Sequence, residues 1–190
     1  MADWVRLELD VEKFDDAKFE PYLQQAQTSG ISFTTMAELG DTPEHRRALY
    51  DLNKTCSADI PDRGMFYTYD EYVTQRIDVA TFNPAGVVLA TRNGAWIGMS
   101  TTSLHPAEGY AFSEMTGVLA PHRRQGLSLA LKLLSIRFVR SSGYRRLVTF
   151  HHPRNTSAIA MNRRLGFVDQ AAEAPSSAPR LGSCPSPPDT

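Results

Sequence analysis

A run with strand character at 115–119 passes through Ala120-Pro121-His122 into the basic turn Arg123-Arg124-Gln125-Gly126. A helical apolar pattern over 127–139 follows at once. A strand that meets a helix across so short a turn commits this part of the chain to a βα unit, and so to an α/β architecture. The first backbone N–H groups of such a helix have no partner within it, and the peptide dipoles add partial positive charge there. The turn is therefore suited to hold an anion. Gly126 lets a ligand come close to the backbone, and Arg123 and Arg124 bring charge that a phosphate can pair with.

The two commonest glycine-rich phosphate loops, G-x-x-x-x-G-K-[ST] and G-x-G-x-x-G, are both missing, which argues against a nucleotide triphosphatase and a dinucleotide dehydrogenase. What remains is R-x-x-G-x-S at Arg123, Gly126 and Ser128. This resembles the acetyl-CoA loop of the GNAT superfamily of N-acetyltransferases, with Ser128 in place of the usual small Gly or Ala. The order of other residues strengthens the likeness: Thr116-Gly117-Val118 before the loop, Pro121 within the connection, then Asn155, Asn162 and Leu165-Gly166-Phe167 after it. The T-G-V and N-to-N-to-L-G-F details look like the mycothiol-synthase-like branch, a looser match.

The resemblance covers roughly 31–167. It implies a three-layer α/β fold whose mixed, mostly antiparallel sheet is splayed after the strand over 114–119, at the acetyl-CoA site. Acetyl-CoA would be a co-substrate, held by Thr116, Gly117, Val118, Arg123, Arg124, Gln125, Gly126, Leu127, Ser128 and Asn155. For Asn155 the competing reading is a helix cap alone.

Net charge is -1, so nothing in bulk electrostatics draws the chain to nucleic acid or an anionic membrane. The amino terminus, MADWVRLELDVEKF, carries acidic residues and no long apolar core, and reads as neither signal peptide nor membrane span. Cys56 and Cys184 are two thiols far apart, which fits a reducing, cytoplasmic setting better than a disulfide framework. His151 and His152 point opposite ways on a strand and lack a third ligand of suitable spacing, so no metal is expected.

In chain order, alternation over 4–9 predicts a strand and a helix should span 15–27; together these make an accessory unit over 1–30 or the stub of a preceding tandem unit. The acetyltransferase-like domain should occupy 31–170. It begins with a strand over 31–36 and a helix over 43–57 capped by Asp41 with Glu44. The connection after it, with Asp59-Ile60-Pro61-Asp62, Phe66, Tyr67 and Tyr69, lies over the acceptor cleft in the family. A short helix over 70–79 comes next. Asn93-Gly94 predicts a type I′ hairpin, Arg145 and Arg146 read as a solvated strand edge, and 171–190 reads as a disordered Pro/Ser-rich tail. The family's usual final strand after Phe167 has no counterpart here. Either the amino-terminal strand fills the gap, or an open edge invites a homodimer.

Acyl transfer from a thioester to an amine needs a base for the amine, a donor for the developing oxyanion, and a fate for the departing thiolate. The resemblance makes Glu114, on the strand feeding the loop, the base; by alternation it should share a face with Val118. A backbone N–H near Val118 would serve the oxyanion. Where many family members carry a tyrosine acid on the last helix, this chain has Asn162, which gives up no proton at neutral pH but would donate a hydrogen bond to the sulfur or orient the pantetheine. The resemblance thus implies an acetyl-CoA-dependent N-acyltransferase acting on a small-molecule or peptide amine, with a CoA-binding module of little catalysis as the alternative.

Overall fold

The computed structural model describes residues 4–61 and 63–170. The tail over 171–190, Cys184 and Asp62 lie outside them. The elements run β1 (Val5–Asp10), α1 (Asp16–Thr28), β2 (Ser32–Thr35), α2 (Met36–Leu39), α3 (Pro43–Ser57), α4 (Tyr69–Tyr72), β3 (Val87–Arg92), β4 (Ala95–His105), β5 (Tyr110–Val118), α5 (Leu127–Ser141), β6 (Arg146–His151), α6 (Thr156–Arg164) and β7 (Val168–Gln170). The strands form one mixed sheet in the order β2-β3-β4-β5-β6-β1-β7, and every adjacent pair is antiparallel except β5 and β6.

Helices cover both faces of this sheet, which makes the fold a three-layer α/β one. On β3, Val88 and Ala90 pack toward Leu127 and Leu131 of α5, while Val87 and Leu89 pack toward Leu49 and Leu52 of α3. The period of two along the strand therefore serves two cores at once. Leu133, Ile136 and Val139 carry the α5 stripe into a further cluster with Phe19 and Leu23 of α1, closing the layer on that side.

The gap that the sequence leaves after Phe167 is taken by the amino terminus. β1 lies between β6 and β7, pairing Val5 with His151 and Glu8 with both Val148 and Val168. Leu7 and Leu9 turn inward and are buried. β6 is consequently an interior strand rather than an edge; Arg145 and Arg146 stay exposed to solvent, as expected, and reach across the new pairing to Asp10 and Glu8.

Local chemistry differs from expectation in three places. Thr35 and Glu38 form a reciprocal capping box that nucleates α2, a turn of helix directly after β2. α3 is capped by Thr42, whose hydroxyl accepts from the His45 amide at 3.2 Å, because Asp41 is drawn away to the Arg46 guanidinium. The helix foreseen over 70–79 splits into α4, capped by Thr68 and Glu71, and a π turn over Val73–Ile77. The hairpin forms as read, with Asn93 and Gly94 both at positive φ.

What positions the site is the contact between β5 and β6. Only Ala111 with Leu147 and Phe112 with Val148 are in register, and beyond them the strands part. From 113 to 118, β5 has β4 as its one strand partner among the described residues. Peptide groups on its other side face a wedge, and buried backbone groups without a ladder are costly unless something else pairs with them.

Candidate active site

At the apex of the wedge the Thr149 hydroxyl donates to the Ser113 carbonyl at 3.1 Å, in place of the next ladder bond. A cavity of about 750 Å³ opens from this point. It is lined by Ser113, Glu114, Thr116, Gly117 and Val118 of β5, by Arg123 and Ser128 beyond it, and by Thr149, His151, Asn155 and Asn162 across the splay. Arg124, Gln125, Gly126 and Leu127 are not among the lining residues; they form the turn at the end of β5. The Leu127 side chain is core, which leaves only its backbone to the ligand side.

Glu114 is the extra residue of a β-bulge. Thr101 faces Met115 and Thr102 faces Ser113, so nothing on β4 opposes it. The bulge also breaks the alternation, since Ser113 meets Lys132 and Val118 packs with Leu131, both on the α5 side. Strict alternation would put 113 and 118 on opposite faces. Glu114 accordingly does not share the face of Val118 as its spacing suggests. Its carboxylate lies 3.9 Å from Arg76, and bulges beside active sites re-aim side chains in this way. Arg76 also donates to the Tyr67 hydroxyl.

The turn over 123–126 is tightly curled. Arg124 has φ 63° and Gly126 φ 75°, both left-handed, and a non-glycine residue held there marks a backbone constrained by its surroundings. The α5 N-terminus has no side-chain cap, and among the described residues the amides of 124–128 show no partner. Arg123 is already engaged, donating to the Val118 carbonyl at 2.9 Å and to Asp59 at 2.7 Å; it ties the strand end to the connection after α3.

Gly126 meets a different neighbour from the one expected. The space a Cβ would need is filled by the Tyr22 ring, 2.4 Å away, and the Tyr22 hydroxyl is held by Arg164. Gly126→Ala should therefore destabilise the fold by about 1–3 kcal/mol, through positive φ and the clash with α1 together; chemical denaturation measures it. Gly117 plays a similar part on the other face, where a Cβ would come within 2.5 Å of Cys56 and push α3 off the sheet. Burial pushes the Cys56 thiol up to about 11, which keeps it protonated and unreactive.

Asn155 caps α6, accepting from the Ala158 amide. Asn162, on the next turns of the same helix, is wholly enclosed. Its Nδ2 donates to the Ala158 carbonyl at 3.0 Å and to His151 Nε2 at 2.8 Å. The carbonyl needs a donor, which fixes the orientation of the amide, and His151 must then carry its proton on Nδ1. Both amide protons are spent within the protein. Asn162 therefore offers a ligand its Oδ1, a buried acceptor with no partner. Desolvation, with the nearby Lys132 charge, brings His151 down to about 4 and keeps it neutral.

The sequence reading overlooked Lys132, Ser113 and Thr149. Lys132 of α5 is 2% exposed and donates to Ser113 Oγ at 2.5 Å, and burial lowers its pKa to about 7. The signal was present: a lysine four residues after Ser128 and four before Ile136, on the apolar side of the helix. On the opposite rim, Tyr50, Phe66, Tyr67 and Tyr72 form an aromatic cluster, with the Arg63 guanidinium 4.6 Å from the Phe66 ring centre. Burial pushes Tyr72 up to about 12.

A splayed sheet, a helix start with free amides at its mouth and a polar wedge between them are the parts of a fold that moves acyl groups. The acetyltransferase (GNAT) family model matches residues 46–167, and the chain belongs to that family. It is 32% identical over 122 residues to a mycothiol acetyltransferase of Thermobispora bispora, covering 62% of this chain and 41% of that protein. It is 31% identical over 122 residues to a mycothiol acetyltransferase of Pseudarthrobacter chlorophenolicus, covering 62% and 37%. The chain thus spans about two fifths of the length of these curated relatives. A GCN5-related N-acetyltransferase from Sphaerobacter thermophilus shares the fold, with a TM-score of 0.59 at 18% identity over 88% of this chain and 48% of that one. No helix among the described residues is long and apolar enough to cross a membrane.

Proposed function

We propose that this chain transfers an acetyl group from acetyl-CoA to an amine by direct attack within a ternary complex. The observation that carries the reading is the wedge itself, where β5 from 113 to 118 has no strand pairing on the β6 side among the described residues and leads to the uncapped start of α5. The pyrophosphate would rest on the amides of 124–128 with Arg124 beside it, because unpaired N–H groups and the helix dipole both favour an anion there. The pantetheine arm would then run up the wedge, pairing with the peptide groups of Thr116 and Val118, which face away from β4, and with Asn162 Oδ1, while Gly117 spends its own peptide groups on Met99. That course brings the thioester to the apex, near Ser113 and the bulged Glu114.

Glu114 takes the proton from the acceptor nitrogen, directly or through water, and a wedge-facing β5 N–H close to the apex steadies the oxyanion, since Val118 stands about 16 Å further along the strand. The aromatic rim with Arg63 and Arg76 faces the acceptor, a small molecule or a peptide amine. Calorimetric titration with acetyl-CoA, followed by thiol release across a panel of amines, tests the reading. We expect saturable binding and turnover confined to a subset of the amines. Binding without release for any amine would favour a CoA-binding module, the role that the absence of a tyrosine at Asn162 would suit. No binding at all would end both.

A further inference from the structure

With Asn162 on α6 where a tyrosine would serve, the departing thiolate has no acid on that helix, yet the wedge holds an enclosed amine that the transfer described above does not use. We propose that Lys132, acting through Ser113, supplies the proton and the positive charge that the leaving sulfur of the thioester requires. The assignment rests on reading the wedge as a thioester site.

The geometry is specific. Lys132 rises from α5 to the apex where β5 and β6 part, and its ammonium donates to Ser113 Oγ at 2.5 Å. Because that oxygen is accepting, the hydroxyl proton of Ser113 is free to point into the cavity that both residues line. The Ser113 carbonyl is pinned by Thr149, so the relay sits on a fixed piece of backbone. The Phe167 ring, from the L-G-F turn, lies 5.5 Å from Lys132 Nζ and gives the cation its other support. Among the described residues no carboxylate pairs with it.

Each neighbouring element contributes a group that leaves Lys132 as the acid. His151 on β6 is neutral, lies next to the lysine and already accepts from Asn162. Asn162 on α6 has no proton to give. Glu114 on β5 faces Arg76 instead. Tyr72, pushed up to about 12, keeps its proton too firmly for an alkyl thiolate, whose conjugate acid is stronger than that phenol, whereas an amine that titrates near neutrality is matched to the task. As the acceptor nitrogen bonds to the acyl carbon and the C–S bond breaks, the electron pair leaves on sulfur. Ser113 passes its proton to the sulfur and takes one from Lys132. The neutral amine then regains a proton from solvent, while the proton lost by the acceptor nitrogen goes to Glu114.

The test needs no acceptor. The ultraviolet absorbance of the thiolate is followed against pH for CoA bound to the wild-type chain, to Lys132→Met and to Tyr72→Phe, with binding verified by calorimetry. Bound to the wild type, CoA should ionise about one pH unit or more below free CoA, because the Lys132 ammonium stands one hydroxyl away from the sulfur and thiolate and ammonium each favour the other's charged form. The shift should vanish in Lys132→Met and persist in Tyr72→Phe. Lys132→Gln, which keeps a donor for Ser113, carries the same readout if the methionine chain does not fold. An unshifted wild type, or a shift that survives the loss of Lys132, overturns the assignment and leaves the thioester site standing. Failure of the wild type to bind CoA removes both.

Discussion

Replacing Lys132 with methionine is expected to make the folded chain more stable at pH 7, and to flatten the rise of its stability with pH. Burial takes this lysine from its ordinary 10.5 down to about 7. Between those values the unfolded chain binds a proton that the folded chain has released, so unfolding becomes harder by ~1.4 kcal/mol per pH unit as pH rises. The contribution is complete above 10.5 and lost as pH falls through 7. Over the whole window this sets the wild-type fold back by up to ~5 kcal/mol at pH 7. Methionine fills a similar volume without charge, while Ser113 loses one donor at a cost of ~1 kcal/mol. A net gain of about 2–4 kcal/mol at pH 7, shrinking toward zero near pH 10, should appear in chemical denaturation at a series of pH values. Parallel stability curves for the two proteins from pH 7 to 10 would show that the lysine is not desolvated as described. On the acid side both proteins should still weaken, because His151 is lowered from 6.5 to about 4 and its contribution is lost as pH falls through that range. A residue that weakens the fold this much on the buried face of a core helix points to selection for something other than stability.

The sequence reveals the parts of this molecule that local chemistry decides, and hides those that depend on which elements meet. The βα unit around the 123–126 turn is legible because a strand run, a glycine and a helical period lie end to end. The Asn93-Gly94 hairpin is legible because two left-handed residues dictate its turn. The place of β1 is not: alternation of Val5, Leu7 and Leu9 makes a strand but says nothing of its neighbours, and its pairing with β6 joins residues more than a hundred positions apart. Asp41 and Thr42 are both good caps, and the choice between them falls to Arg46, which captures the aspartate. Lys132 is the most instructive case. A single lysine on a helix ordinarily reads as a stem that covers apolar surface while its head reaches water. Only the sheet laid over α5, with Ser113 waiting at the apex, encloses it.

Glu114→Gln is expected to lower turnover by about a hundredfold or more while acetyl-CoA affinity stays within a few-fold of the wild type. The asymmetry follows from where the carboxylate stands. It is carried by a bulge, so removing its charge leaves the β4 register, the unpaired β5 edge and the start of α5 untouched. In the proposed mechanism the cofactor's seat depends on those three features and the acceptor's proton on the carboxylate alone; glutamine, of nearly the same shape, accepts a hydrogen bond but not that proton. The Arg76 guanidinium, 3.9 Å from the native carboxylate, loses its anionic neighbour; some loss of acceptor affinity should accompany the loss of rate. Steady-state thiol release with the best amine from the panel, paired with calorimetry on acetyl-CoA, separates these terms. Turnover within about threefold of the wild type, with the same pH profile, would mean that the amine reaches the site already deprotonated or loses its proton elsewhere. The bulge would then have to be explained by the course of the backbone alone, as the device that brings Ser113 over Lys132.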